Sequence, residues 1–189
     1  MSLAHAILGW LQTEPMSGYD LKKRFDQGVG YFWPVDQMQI YRTLERLVEQ
    51  GSVSVHEEIQ HNHPNRKVYT LTDAGREELR RWLASPQSLP ALRDPLLIQL
   101  FFSAQLSSAE IIELLKHQHS EHSKLLAYYQ QKNDFPLDAS LGTSEEISRE
   151  KLLQRLVLEH SLRREQTYLQ WLELAIEQVR RLVEETKRG

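Results

Sequence analysis

Residues Asp36 to Gly51, DQMQIYRTLERLVEQG, constrain the chain more than any other stretch. Ile40, Leu44, Leu47 and Val48 recur at the three-and-four spacing of one buried helix face, while Gln39, Arg42 and Arg46 fall on roughly the opposite side. Gly51 supplies a helix stop. A segment divided in this way must lie on a core and present a donor-rich face to whatever is outside. Gln can pair bidentately with an adenine edge, and Arg with guanine or phosphate, so that face has the chemistry of a major-groove reader. Taken alone, it is equally an ordinary amphipathic helix whose Glu45 and Glu49 pair with the arginines.

The flanking residues favour the first reading. Leu3, Ile7, Leu8 and Leu11 form the apolar set of a first helix that Glu14-Pro15 ends. Ser17 and Asp20 have capping-box spacing at the start of a second, where Leu21 and Phe25 face inward beside Lys22, Lys23 and Arg24. Past Gly51, the alternation of Val53, Val55 and Ile59 predicts a half-buried strand, His61-Asn-His-Pro-Asn65 a turn, and Arg66 to Leu71 a second strand. A two-stranded ribbon behind a helix-turn-helix is a winged helix, with His61, His63, Arg66 and Lys67 on the wing where phosphates or a minor groove would lie. Thr72-Asp73 caps a fourth helix to about Ala84.

Ser85-Pro-Gln-Ser-Leu-Pro90 interrupts the helical pattern, dividing the chain into a winged helix over 1–84, a linker over 85–92 and a helical region over 93–189. Asp94-Pro95 opens a short apolar helix, Leu96 to Ala104, and Ser107 with Glu110 boxes the next. In that helix Ile111, Leu115, Gln118, His122, Leu125 and Tyr129 form a seam; Asn133 to Gly142 reads as a loop, and Thr143 with Glu146 as another box. The last helix is expected from about Ser144 to Thr186. Leu158, Leu162, Leu169, Leu172, Ile176, Val179 and Val183 keep near-heptad spacing along it, with Glu165 the one polar interruption. This stripe is expected to pack on the Ile111–Tyr129 helix and to pair with a second chain. The fold class is therefore mainly α with a small β-wing: an N-terminal winged helix-turn-helix and a C-terminal long-helix dimerisation region.

The run Trp33 to Gly51, with Ser17-Gly-Tyr-Asp-Leu21 before it and Tyr69-Thr-Leu-Thr-Asp-Ala-Gly75 after it, resembles the PadR-type transcriptional regulators, and the helical tail is similar to the virulence-activator type. The resemblance implies a dimeric winged-helix repressor or activator, often released from DNA by a small molecule, and a phosphate contact for Tyr41. The expected DNA-binding residues are Ser17, Tyr19, Lys22, Lys23, Gln37, Gln39, Tyr41, Arg42, Arg46, His63, Arg66 and Lys67. Tyr31, Phe32 and Trp33 read first as core or domain-interface packing; the alternative, which the resemblance keeps open, is that with Trp10 they form a pocket for a small aromatic effector. Because operator half-sites commonly lie about 34 Å apart, a palindromic operator bound by a homodimer is expected.

Other chemistries find less support. The net charge of −3 and the near balance within 1–84, ten Lys/Arg against eleven Asp/Glu, imply weak non-specific attraction to DNA. No cysteine is present, no apolar run nears the roughly 18 residues of a membrane span, and Met1 to His5 lacks a basic signal segment, so a reducing cytoplasm is expected. His61, His63, His117, His119 and His122 invite a metal reading, but without cysteine or a His-Glu-x-x-His pattern neither metal nor cofactor is expected. The chain contains no phosphate loop or nucleophile elbow, so no enzyme is expected. The alternative function is a winged-helix module that binds protein, which should carry apolar anchors where this chain has Gln39, Arg42 and Arg46.

Overall fold

The computed structural model describes residues 2–30, 33–59, 65–91, 93–131 and 148–186, excepting the side chains of residue 2 and of 183–186. The chain forms two compact units, Met1–Pro90 and Ala91–Gly189.

In the first unit, α1 (Ser2–Leu11) is followed by a two-residue strand, β1 (Met16–Ser17), and then by α2 (Gly18–Gln27) and α3 (Gln37–Glu49). The strands β2 (Val53–Glu58) and β3 (Arg66–Leu71) form the ribbon, and α4 (Asp73–Ala84) closes the unit. The sheet order is β1-β3-β2, all antiparallel, with the ribbon running from Val53↔Leu71 to Glu58↔Arg66. β1 is absent from the sequence reading, because two residues are too short to show a period. Its pairing of Met16 with Tyr69 and Ser17 with Val68 ties the start of α2 to the base of the wing.

Ile7, Leu8, Leu21, Phe25, Ile40 and Leu44 make a close-packed core under these elements. Burying each contributes about 1.5–3 kcal/mol. The alternation expected of β2 fails beyond its first residue: Val53 joins the core cluster, but Val55 and Ile59 lie past it on the ribbon and are exposed.

α3 stops in a Schellman turn, in which Ser52 N–H reaches Leu47 O at 3.0 Å and Gly51 N–H reaches Val48 O at 2.9 Å. Gly51, at φ 71°, adopts the left-handed conformation this turn requires. Gly75, in the first turn of α4, approaches so closely that a Cβ there would stand 2.1 Å from Ser52 O.

In the second unit, Asp94 caps α5 (Pro95–Phe101), accepting from Leu96 N–H, and a 3₁₀ turn follows over Ser103–Gln105. The helix expected to reach Ala104 thus stops three residues early. α6 (Ser108–Gln131) starts from the Ser107–Glu110 capping box and lies antiparallel to α7 (Arg149–Thr186), since His119 faces Glu173 and His122 faces Glu165. Ser148, at the foot of α7, accepts from Lys151 N–H at 3.3 Å; the helix begins after this residue and not at Ser144. The loop and capping box expected between residues 133 and 146 lie outside the described residues.

The heptad stripe assigned to dimerisation is used within the chain. Leu162, Leu169, Leu172 and Ile176 are buried, Leu158 and Val179 are half-buried, and Leu172, Ile176 and Val179 pack with Leu96, Leu115 and Ile111. Those buried side chains cannot face a second chain. A heptad stripe fits any apolar partner helix, and here α6 supplies it. The side chain of Val183 lies outside the described residues.

Candidate nucleic-acid interface

The first turn of α2 brings the interface together. Tyr41, on α3, lays its ring against Gly18 so tightly that a Cβ at Gly18 would meet Tyr41 Cε1 at 2.4 Å. Arg66, at the turn end of the ribbon, donates to Asp20 Oδ2 at 2.9 Å and lies 4.0 Å from Glu58 Oε2. Recognition helix and wing are thereby joined to the segment Gly18-Tyr19-Asp20.

Both helix starts facing this region are already occupied by carboxylates. Ser17 Oγ accepts from Asp20 N–H at 3.2 Å and donates to Asp20 Oδ2 at 2.7 Å; Asp20 also accepts from Ser17 N–H. Asp36 caps α3 by accepting from Gln39 N–H at 2.7 Å, and Gln39 Oε1 accepts in return from Asp36 N–H at 3.0 Å. These carboxylates take the positive ends of the two helix dipoles, so phosphates must be met by side chains.

The arrangement sorts the expected contacts. Ser17 is buried, and its hydroxyl serves the cap of α2. Lys22 is paired with Asp26, and Arg66 with Asp20. Gln39 stays exposed with its oxygen engaged, leaving its amide N–H groups to offer. Gln37 Nε2 approaches Tyr41 Oη at 3.5 Å, a long contact. Tyr19 stands 66% exposed, and Lys23, Arg42, Arg46 and Lys67 are exposed and make no ion pair among the described residues. His63 lies outside the described residues.

Met38 was missed by the sequence reading. It is 58% exposed on the outer face of α3, one turn before Arg42, and offers an apolar contact of the kind a thymine methyl accepts. Its place outside the Ile40–Leu44–Leu47 stripe was the signal for it. Tyr69, buried in β3 near Tyr41 and Glu45, has its phenol pushed up by burial first and then by those two neighbours.

The predicted aromatic pocket is only partly described. Trp10 packs on the core beside Gly28, where a Cβ would come within 2.9 Å of its ring, and Trp33 is exposed. Tyr31 and Phe32 lie outside the described residues. On α6, His119 and His122 face Glu173 and Glu165. Among the described residues, no helix is long and apolar enough to cross a membrane.

Comparison with known proteins agrees with this geometry. Residues 7–81 match the transcriptional regulator PadR-like family, and residues 92–180 the virulence activator alpha C-terminal family. A negative transcriptional regulator PadR from Bacillus subtilis (strain 168) is 33% identical over 172 residues, which cover 90% of this chain and 93% of the relative. The crystal structure of Bacillus subtilis PadR in complex with operator DNA matches with a TM-score of 0.81 at 30% identity, over 95% of this chain and 99% of that one. The structure of the same protein in complex with p-coumaric acid matches with a TM-score of 0.76 at 30% identity, over the same shares of the two chains. The chain belongs to the PadR-like family of transcriptional regulators.

Proposed function

We propose that this chain acts as a homodimeric, sequence-specific DNA-binding repressor that inserts α3 of each subunit into successive major grooves of a palindromic operator. The observation that carries this reading is the outer face of α3, where Arg42 and Arg46 are exposed without an ion pair among the described residues beside Met38 and Gln39. Lys67 on the wing and Lys23 and Tyr19 on α2 supply phosphate contacts, with Tyr41 held by Gly18 as a further hydroxyl donor. The relative's description as a negative regulator, and its crystal structure with operator DNA, support repression by occlusion. Release by a small aromatic effector is supported by the structure of that relative with p-coumaric acid. Acting on operator DNA, the protein works in the cytoplasm.

Dimerisation through the helical unit is supported by the apolar side chains that the α6–α7 packing leaves uncovered. Phe101 is 81% and Phe102 69% exposed on and after α5, and Leu153, Leu156 and Val157 are exposed on α7. The Phe101 and Phe102 rings meet edge to face at 5.0 Å, and large apolar side chains exposed together in this way mark an interaction site.

Selection of bound sequences from random duplex DNA at moderate salt tests the reading. The native protein should enrich a two-fold symmetric site that Arg42→Ala fails to enrich. A folded native protein that enriches nothing would sink it.

A further inference from the structure

Met38 and Gln39 are both exposed in the first turn of α3, the end of a recognition helix from which base edges are reached. Gln39 does not present a whole amide there. Its Oε1 accepts from Asp36 N–H at 3.0 Å, while Asp36 Oδ1 accepts from Gln39 N–H at 2.7 Å. Because the group facing Oε1 is an N–H, the atom turned toward it has to be the oxygen, so the capping box fixes which way the amide points. Bidentate reading of adenine needs that oxygen and the nitrogen side by side on one base edge, accepting from N6 and donating to N7. With the oxygen turned back onto the start of the helix, only Nε2 and its two hydrogens face outward. A donor alone is satisfied by an acceptor on the base.

We propose that Gln39 reads thymine as a donor only, giving its amide N–H to O4, and that Met38 covers a thymine C5-methyl at the same base step. Guanine also offers acceptors, but its edge carries no methyl for the thioether beside Gln39, and Arg42, one turn on, matches guanine N7 and O6 with a two-pronged donor. Thymine alone sets an acceptor next to an apolar group in the major groove. The base pair selected is the one a free glutamine would select, A·T, but the contact falls on the opposite strand. This inference deepens the proposed operator reading and rests on it.

Gln39→Glu separates the cap from the base contact. Glutamate serves a capping box at this position as well as glutamine does, so the fold is kept, which a thermal melt of the full chain checks, while a carboxylate oxygen replaces the outward N–H groups. Where thymine presents O4, cytosine presents an N4 donor. Selection from random duplex DNA should give a half-site thymine with the native chain that Gln39→Glu exchanges for cytosine, and the variant should bind the native site roughly tenfold more weakly. In titrations of the native chain, 7-deazaadenine opposite that thymine should leave affinity unchanged, and uracil in place of thymine at the step should lower it, a loss that Met38→Ala removes. Weaker binding to the 7-deazaadenine duplex, with adenine still selected by Gln39→Glu, means that the oxygen leaves the cap on DNA and overturns the proposal. Guanine at the position that responds to Gln39→Glu overturns it too, as does a selected site that the variant leaves unchanged. Uracil bound as tightly as thymine overturns the part given to Met38. In all of these cases the native protein still enriches an operator, and the proposed function stands. A folded native protein that enriches no sequence overturns that function and this inference together.

Discussion

Arg42 projects from α3 with no ion pair among the described residues, so its removal takes nothing from the core. Arg42→Ala should therefore weaken operator binding by about 1–3 kcal/mol, with an unchanged unfolding midpoint. Competition titration and a thermal melt check the two halves of that statement. Lys67, exposed with no ion pair among the described residues, is by the same reasoning proposed as a phosphate contact. Lys67→Ala should weaken binding evenly across sequences and lower the slope of log affinity against log salt by about 1. Arg42, Arg46 and the apolar stripe opposite them were legible because helical period sorts inward from outward residues. The hydrogen-bond duties of Ser17 and Gln39 were less so. Ser17-x-x-Asp20 was recognised as a box, whereas Asp36-x-x-Gln39, which carries the same kind of signature at the start of α3, was not.

The cap of α2 sets a pH response for the winged unit. The Ser17 hydroxyl, followed by its backbone N–H, Arg66 and Lys23, holds the Asp20 carboxyl below its ordinary value of 3.8, against a smaller opposing effect of burial. Folding thus favours the ionised form. The stability it adds is complete above the unfolded value and is lost as pH falls through the folded one. Asp20→Asn should flatten the acid limb of stability against pH below about pH 4, measured by urea unfolding. In the helical unit, His122→Ala leaves the buried Glu165 with Arg164 as its remaining hydrogen-bond donor among the described residues, and should cost about 1.5–3 kcal/mol in the same assay. Gly18→Ala should displace the Tyr41 ring and weaken operator binding without abolishing the fold. Helices with caps and heptads were read at the right places from sequence. β1 was not, because its two residues carry no pattern; the packing of the α7 stripe on the Ile111–Tyr129 helix was, although the spacing of Leu162, Leu169 and Leu172 suits a second chain equally well.

At the scale of the molecule, the account requires two copies. One winged unit presents one recognition helix, and near-balanced charge gives it little non-specific affinity to supplement base contacts. Specific binding then depends on two half-sites engaged together, with the exposed apolar surface of the helical unit proposed as the joint between copies. Hydroxyl-radical footprinting of an enriched duplex tests this most directly. A homodimer on a palindromic operator should protect two half-sites, related by two-fold symmetry and centred about one helical turn, roughly 34 Å, apart. Protection of a single half-site at saturation would contradict it.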